Sequence, residues 1–298
     1  MSETAHSGNP KRIPVGFIGT GVMGASMASH LLSAGFHLGI FNRTKARAEG
    51  LLEKSARWYS SPVELASAAE IVITMLGYPC DVEDVYYGEK GILNAAQPRT
   101  LFIDMTTSSP ALARELADRA SARGCEAMDA PVSGGDVGAR EARLSIMAGG
   151  SFTAFERAKP LFALMGETIV HQGPAGSGQA CKMANQIAIA SGMLGVCESM
   201  AYAQAAGLDP ETVLESIGQG AAGSWSLTNL APRMLKKDFE PGFYVKHFIK
   251  DLGIALDSAR EFDIELPGLA LARELYERLS AKGYEDAGTQ ALFQLYTS

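Results

Sequence analysis

Residues 13–35, IPVGFIGTGVMGASMASHLLSAG, limit what this chain can fold into more than any other stretch. Ile13, Val15, Phe17 and Ile18 make a short strand run, Gly19, Gly21 and Gly24 follow in G-x-G-x-x-G register, and an apolar helical pattern comes next. This succession meets three physical needs: a tight turn, close approach of the backbone to a pyrophosphate at a helix N-terminus, and tight packing of helix on strand. Gly19, Thr20, Gly21, Val22, Met23 and Gly24 are therefore candidate cofactor-binding residues. The alternative is a glycine turn with no ligand. Against it stands a second strand, HLGIFNRT, which ends about 20 residues after the motif, where a ribose-reading residue belongs.

That strand end carries Asn42, Arg43 and Thr44 where Asp or Glu is common. A carboxylate there accepts from a ribose 2′-hydroxyl and repels a 2′-phosphate. Arg43 instead offers a fork for that phosphate, with Asn42 and Thr44 as donors and Lys45 and Arg47 nearby. The pattern favours NADP(H) over NAD(H); stacking of Arg43 on the adenine is the competing reading.

Strand and helix then alternate. Ser61-Pro62-Val63-Glu64 reads as an N-cap, a first-position proline and a capping-box glutamate. The strand EIVITMLG, a helix around Val82 to Tyr87, the strand TLFIDM and a helix start at Ser109-Pro110 follow. Such alternation predicts a parallel, doubly wound sheet. Ligands of such sheets lie beyond the carboxyl ends of the strands, which puts Leu76-Gly77 and Thr106-Thr107 on the cofactor side. Thr106 and Thr107 also suit plain loop hydroxyls. Further on, a strand in CEAMDA enters Pro131-Val132-Ser133-Gly134-Gly135, and a second strand spans Leu144 to Ala148. Adjacent glycines let backbone amides converge on an anion and Ser133 adds a hydroxyl, so the loop suits a carboxylate; an ordinary turn is the alternative.

After the helix in SFTAFERAKPLFALMG and the strand TIVHQG, residues 173–210 read as one long helix that stops at Gly207 before Asp209-Pro210. From Ile187 to Cys197 only Ser191 is polar, which predicts burial all round. Near the start, Gln179, Lys182, Asn185 and Gln186 share roughly a third of the circumference at about 100° per residue. Lys182 is either a surface charge on the first turns or a buried lysine with a task. Beyond Gly207 only helices are predicted, over Pro210–Ile217, Ser224–Lys236, Tyr244–Phe262, Pro267–Lys282 and Gly288–Tyr296. Lys246 and Lys250 fall one turn apart with His247 and Asp251 alongside, for which an exposed charged face is the plain explanation. Trp225, Phe239 and Phe243 read as core or interface.

A chain of 298 residues predicts two domains at about 150 residues each, here 13–172 and 173–298. The leader, residues 1–12, is polar without an apolar core and is expected to be frayed and no signal peptide. Net charge of −7, with no basic run longer than Lys236-Lys237, argues against nucleic acid. No uninterrupted stretch reaches the roughly 18 apolar residues of a membrane span. The four cysteines lack CxxC spacing and read as buried thiols of a reducing compartment, with Cys181 beside Lys182 open to oxidants. The histidines lack HxxxH or HExxH spacing, so no metal site is indicated and a cytoplasmic protein is expected.

Four motifs occur in order: GFIGTGVMG, DAPVSGG, the G-x-x-x-K-x-x-N of Gly178, Lys182 and Asn185, and the HFIKDL of residues 247–252. Together, over residues 13–298, they resemble the β-hydroxyacid dehydrogenase family, which includes 3-hydroxyisobutyrate dehydrogenase, tartronate semialdehyde reductase and succinic semialdehyde reductases. The resemblance implies an N-terminal Rossmann domain, a long interdomain helix and an all-α C-terminal domain as in 6-phosphogluconate dehydrogenase, with the active site in the cleft and a homodimer or homotetramer. It implies that Lys182 is catalytic, that Ser133, Gly134 and Gly135 grip a substrate carboxylate, and that Asn185 positions substrate. Lys250 is then at the nicotinamide side, and Leu76 and Thr107 contact cofactor. Several relatives carry a second asparagine where Gln186 stands, and NAD-preferring relatives often carry Asp where this chain has Asn42-Arg43-Thr44. The implied reaction interconverts a small 3-hydroxy or terminal-hydroxy acid and its semialdehyde. Imine reductases and a non-catalytic cofactor-binding module are the alternatives; both typically lack the lysine, so Lys182 argues against them.

Overall fold

The computed structural model describes residues 13–297; the leader assigned to residues 1–12 lies outside the described residues. The chain divides into two compact units, one up to Lys182 and one from Met183 onward.

The first unit alternates β1 (Val15–Ile18), α1 (Val22–Ser33), β2 (Leu38–Phe41), α2 (Glu49–Leu52), β3 (Arg57–Trp58), α3 (Pro62–Ser67) and β4 (Ile71–Thr74). It continues through α4 (Pro79–Tyr87), β5 (Leu101–Asp104), α5 (Pro110–Ser121) and β6 (Glu126–Asp129). Helix starts follow local chemistry: the Ser61 and Ser109 hydroxyls accept from the Glu64 and Leu112 amides, and Pro62 and Pro110 stand where no amide is needed. The strands run β3-β2-β1-β4-β5-β6, all parallel. Their side chains alternate between two layers. Val15, Phe17, Ile71, Ile73, Leu101 and Ile103 join Met27 and Leu31 of α1, whereas Ile18, Val72 and Phe102 join Leu65, Tyr86 and Leu112. Covering on both faces is why these strands read as unbroken apolar runs.

The parallel expectation fails beyond β6. β8 (Leu144–Gly149) runs antiparallel to β6, through Asp129 and Gly149, and to β7 (Val132–Ser133), through Ser133 and Ser145. Only the short α6 (Gly135–Arg140) links β7 to β8, too little chain for a crossover, so the backbone doubles back. α7 (Phe152–Phe162) then supplies a crossover, and β9 (Gly166–Gly173) lies parallel to β8.

α8 (Ser177–Ala205) begins in the first unit and continues into the second, which adds α9 (Pro210–Ile217), α10 (Trp225–Asn229), α11 (Ala231–Leu235), α12 (Val245–Arg260) and α13 (Pro267–Leu279). The helix predicted over Ser224–Lys236 is two helices, because Pro232 has no N–H for the Thr228 carbonyl. The last predicted helix is a 3-10 coil, Thr289–Leu295. Met193, Cys197 and Met200 of α8 share a core with Phe248 and Leu252 of α12 and Tyr276 of α13, and the Phe248 and Tyr276 rings meet edge-on at 5.0 Å.

Two packing expectations need correction. α8 is not buried all round: Ala184, Ala188, Ser191, Gly195 and Glu198, spaced three or four apart, are exposed along one side. Small residues read as apolar in the sequence without having the size to fill a core. Of the aromatics read as core or interface, Phe239 and Phe243 pack on the helical core, and Trp225, 68% exposed, lies outside it. Cys125 and Cys197 are buried, but Cys80 is exposed and Cys181 only half-buried. Among the described residues no helix is long and apolar enough to cross a membrane.

Candidate active site

At the glycine turn, backbone crowding explains each residue. Gly19 has φ 97°, and a Cβ there would come within 2.2 Å of the Met75 carbonyl oxygen. A Cβ on Gly24 would lie 2.0 Å from the Gly19 carbonyl oxygen. At Gly21, the N-cap of α1, a Cβ would meet nothing within 4 Å, and α1 has no acidic residue in its first turn. Open space over exposed backbone N–H groups at a helix N-terminus fits the pyrophosphate of a dinucleotide. The Thr20 hydroxyl beside it is buried without a hydrogen-bond partner. Val22, 64% exposed, and Met23 begin the helix.

The end of β2 is tied to this turn. Asn42 Oδ1 accepts from the Thr20 amide at 3.1 Å, and Asn42 Nδ2 donates to the Thr44 carbonyl at 2.8 Å, so Asn42 holds the turn. The Arg43 guanidinium is exposed and pairs with Asp81 at 3.0 Å, a partner 38 residues on that the sequence pattern did not indicate.

A buried carboxylate props the neighbouring strand ends. Asp104, 5% exposed, accepts from Thr74 Oγ1 at 2.8 Å and from the Thr106 amide at 3.1 Å. Thr106 Oγ1 accepts from the Leu76 amide at 2.9 Å, and Leu76 Cδ2 borders Gly19. Thr106 is thus a structural link to Leu76, while Thr107 follows it in the loop. Burial pushes the Asp104 carboxyl from its ordinary 3.8 up to about 6, against the pull of its Thr106 and Thr74 bonds. The folded state therefore holds this proton more tightly than the unfolded chain does. The stability tied to the group is full below about pH 4 and falls, by on the order of 3 kcal/mol, as pH rises through about 6. Between pH 4.5 and 7.5, Asp104→Asn is expected to gain about 2 kcal/mol relative to the parent in urea unfolding. An equal difference at both pH values would count against a buried, ionising Asp104.

The anion loop and the start of α8 share β8. Gly134 and Gly135 have φ 130° and 62°, left-handed conformations that favour glycine, and Ser133 is half-buried beside them. Ser133 pairs with Ser145; two residues along β8, the Met147 carbonyl would lie 2.3 Å from a Cβ on Gly178. Asp129, 2% exposed, accepts from the Gly176 and Gln179 amides, each at 2.7 Å, and so anchors the first turn of α8. Burial raises its carboxyl while those backbone bonds pull it down. The fully buried Gln179 accepts from the Ser108 amide at 3.0 Å and donates to the Thr106 carbonyl at 2.7 Å, bracketing Thr107. Lys182 stands three residues on and is 6% exposed, so the surface-charge reading fails. Asp129, the first residue of DAPVSGG, and Gln179, a member of the polar patch with Lys182, build the site in a way the sequence did not assign, because their partners lie 47 to 73 residues away.

In the second unit, Asn185 and Lys250 are joined indirectly. Asn185 Nδ2 donates to Gln186 Oε1 at 2.7 Å, Gln186 Nε2 donates to Asp251 Oδ2 at 2.6 Å, and Lys250 Nζ lies 3.1 Å from Asp251 Oδ1. The Lys250 side chain is 13% exposed, so the exposed-face reading fails for it, while Lys246 pairs with Asp286 at the surface. Burial, with Lys250 and Lys246 nearby, lowers the His247 pKa below its usual range, which keeps the ring neutral at pH 7.

Glycine turn, strand-end donors and alternating sheet define a dinucleotide-binding protein. The family model for the NAD binding domain of 6-phosphogluconate dehydrogenase matches residues 14–173, and that for the NAD-binding domain of NADP-dependent 3-hydroxyisobutyrate dehydrogenase matches residues 176–296. A probable mitochondrial 3-hydroxyisobutyrate dehydrogenase-like protein of Arabidopsis thaliana is 49% identical over 95% of this chain and 85% of its own length. The 2-hydroxy-3-oxopropionate reductase of Escherichia coli is 38% identical over 94% of this chain and 96% of its own length. The solved structure of Mycobacterium tuberculosis 3-hydroxyisobutyrate dehydrogenase with L-serine superposes with a TM-score of 0.89 at 31% identity, covering 96% of this chain and all of that one. The chain belongs to the β-hydroxyacid dehydrogenase family and is an NAD(P)-dependent oxidoreductase.

Proposed function

We propose that this enzyme interconverts a small 3-hydroxy or terminal-hydroxy carboxylic acid and its semialdehyde, with NADP(H) preferred. The observation that carries the reading is Lys182: a lysine buried to 6% exposure, three residues past a helix turn anchored by Asp129. Partial desolvation suits a lysine to proton transfer near neutral pH. In oxidation Lys182 Nζ takes the hydroxyl proton of the substrate; in reduction it returns a proton to the forming alkoxide. Ser133, Gly134 and Gly135 would hold the carboxylate through backbone amides and a hydroxyl, Asn185 would orient the reacting end, and Lys250 would serve the nicotinamide. The bound nicotinamide supplies or accepts the hydride. Gly19 to Gly24 cradle the pyrophosphate, with Leu76 and Thr107 alongside. The same reading makes the protein a cytoplasmic homodimer or homotetramer; its free cysteines and the exposed small-residue side of α8 support those two points.

Preference for NADP(H) rests on Arg43, with Asn42 and Thr44 beside it. Its pairing with Asp81 is a surface ion pair, worth about 0–1 kcal/mol, and yields readily to a 2′-phosphate. Arg43→Ala is expected to raise the NADPH KM about 10- to 100-fold while the NADH KM changes less than about twofold. Equal changes for both cofactors would remove Arg43 as the phosphate reader. The reaction itself is tested by NADPH and NADH oxidation with succinic, methylmalonic, tartronic and glyoxylic semialdehyde or aldehyde acids. Turnover with one of them supports the reading. Tight NADPH binding with a blank panel would favour a non-catalytic cofactor-binding role.

A further inference from the structure

Gln186 has no role in the reaction proposed above, yet it links two residues that do. It lies between Asn185 and Asp251, and Asp251 in turn pairs with Lys250. Gln186 and Asp251 are each only 1% exposed. The direction of this chain of contacts is dictated at one end. A carboxylate can only accept, so the Gln186 amide must turn its nitrogen toward Asp251. Its oxygen then faces Asn185, which must turn its own nitrogen toward Gln186. The two ends of a carboxamide are nearly identical in shape, so packing alone does not choose between them. The charge on Asp251 does.

We propose that Gln186 is a positioning residue that transmits the acceptor-only character of Asp251 to the Asn185 carboxamide. Asn185 Oδ1 is thereby left as the acceptor for the hydroxyl of a small hydroxy acid, with one N–H remaining beside it. The inference rests on the reading of Asn185 as a substrate-positioning residue. A glutamine that merely fills space in the helical core would give no such coupling.

A double-mutant cycle separates the two. Gln186→Met conserves length and volume but removes both hydrogen bonds. It is expected to lower kcat/KM about tenfold, chiefly through KM, in the parent, and by less than about twofold in an Asn185→Ala background. Equal losses in both backgrounds overturn the proposal, as does no loss in the parent. Gln186→Leu serves the same cycle if the Met variant does not fold. A second readout needs no turnover: the side-chain amide NMR signal of Asn185 is expected to move in Asp251→Asn, and to be insensitive to that change once Gln186 is Met. An Asn185 signal unmoved by Asp251→Asn overturns the inference even in a protein that reduces every semialdehyde tested. A parent that turns over none of them, but shows the coupled signal, overturns the proposed reaction and leaves the positioning in place.

Discussion

Lys182→Ala is expected to lower turnover of the semialdehyde by about 10² to 10⁴ while NADPH affinity stays within about twofold. Three observations set that size. Lys182 is buried, so bulk water has poor access to take over its proton transfer. The first turn of α8 is held by Asp129 and Gln179 whether or not the lysine is present, so the scaffold survives the truncation. The glycine turn proposed to receive the pyrophosphate is built from β1, β2 and the Met75 backbone and owes nothing to Lys182. Lys182→Arg should fail almost as badly, because a guanidinium keeps its proton at any working pH and cannot act as a base. The decisive measurements are steady-state turnover and a fluorescence titration of NADPH on the same variant. Substantial turnover in Lys182→Ala would end the assignment; lost NADPH binding would instead make the lysine a cofactor residue.

Asp129→Ala is expected to cost about 3–5 kcal/mol of stability, read as a shift of the urea midpoint. The carboxylate fills a site too tight for rearrangement: a Cβ on Gly149 would lie 2.6 Å from its Oδ1, and one on Gly178 2.8 Å from its Oδ2. Truncation leaves the amides of Gly176 and Gln179 without their acceptor in a dry place, each worth about 1–3 kcal/mol. Asp129→Asn keeps the shape but offers one oxygen for two donors, so an intermediate loss is expected. Since the anchored turn leads directly to Lys182, the surviving folded fraction should also show reduced kcat. A variant as stable as the parent would mean that the α8 start is held by packing alone.

Much of the first unit was legible because its determinants are local. Ser61 and Ser109 are caps that stand before a proline, Gly24 is dictated by backbone crowding against Gly19 a few residues back, and unbroken apolar runs mark strands between two helical layers. Reading failed where a determinant lies far along the chain or depends on size. Asp81, which pairs with Arg43, belongs to α4 and comes near only because β4 lies beside β1. The doubling back of β8 is a matter of how little chain connects it to β7, and hydrophobic pattern does not encode strand direction. The exposed side of α8 was misread because Ala184, Ala188 and Gly195 count as apolar yet are too small to demand burial.

The sequence by itself determined the chemistry at each position: a glycine turn open to phosphate, donors after β2, a Ser-Gly-Gly loop and a lysine in a polar patch. Those follow from covalent structure and near-neighbour sterics, which the order of residues carries in full. Tertiary structure alone decided which polar groups answer one another. Asp104 with Thr74 and Thr106, Asp129 with the amides of Gly176 and Gln179, and Gln186 with Asp251 span separations of 2 to 65 residues. A buried donor or acceptor must find a partner, but which one it finds is settled by how strands and helices pack.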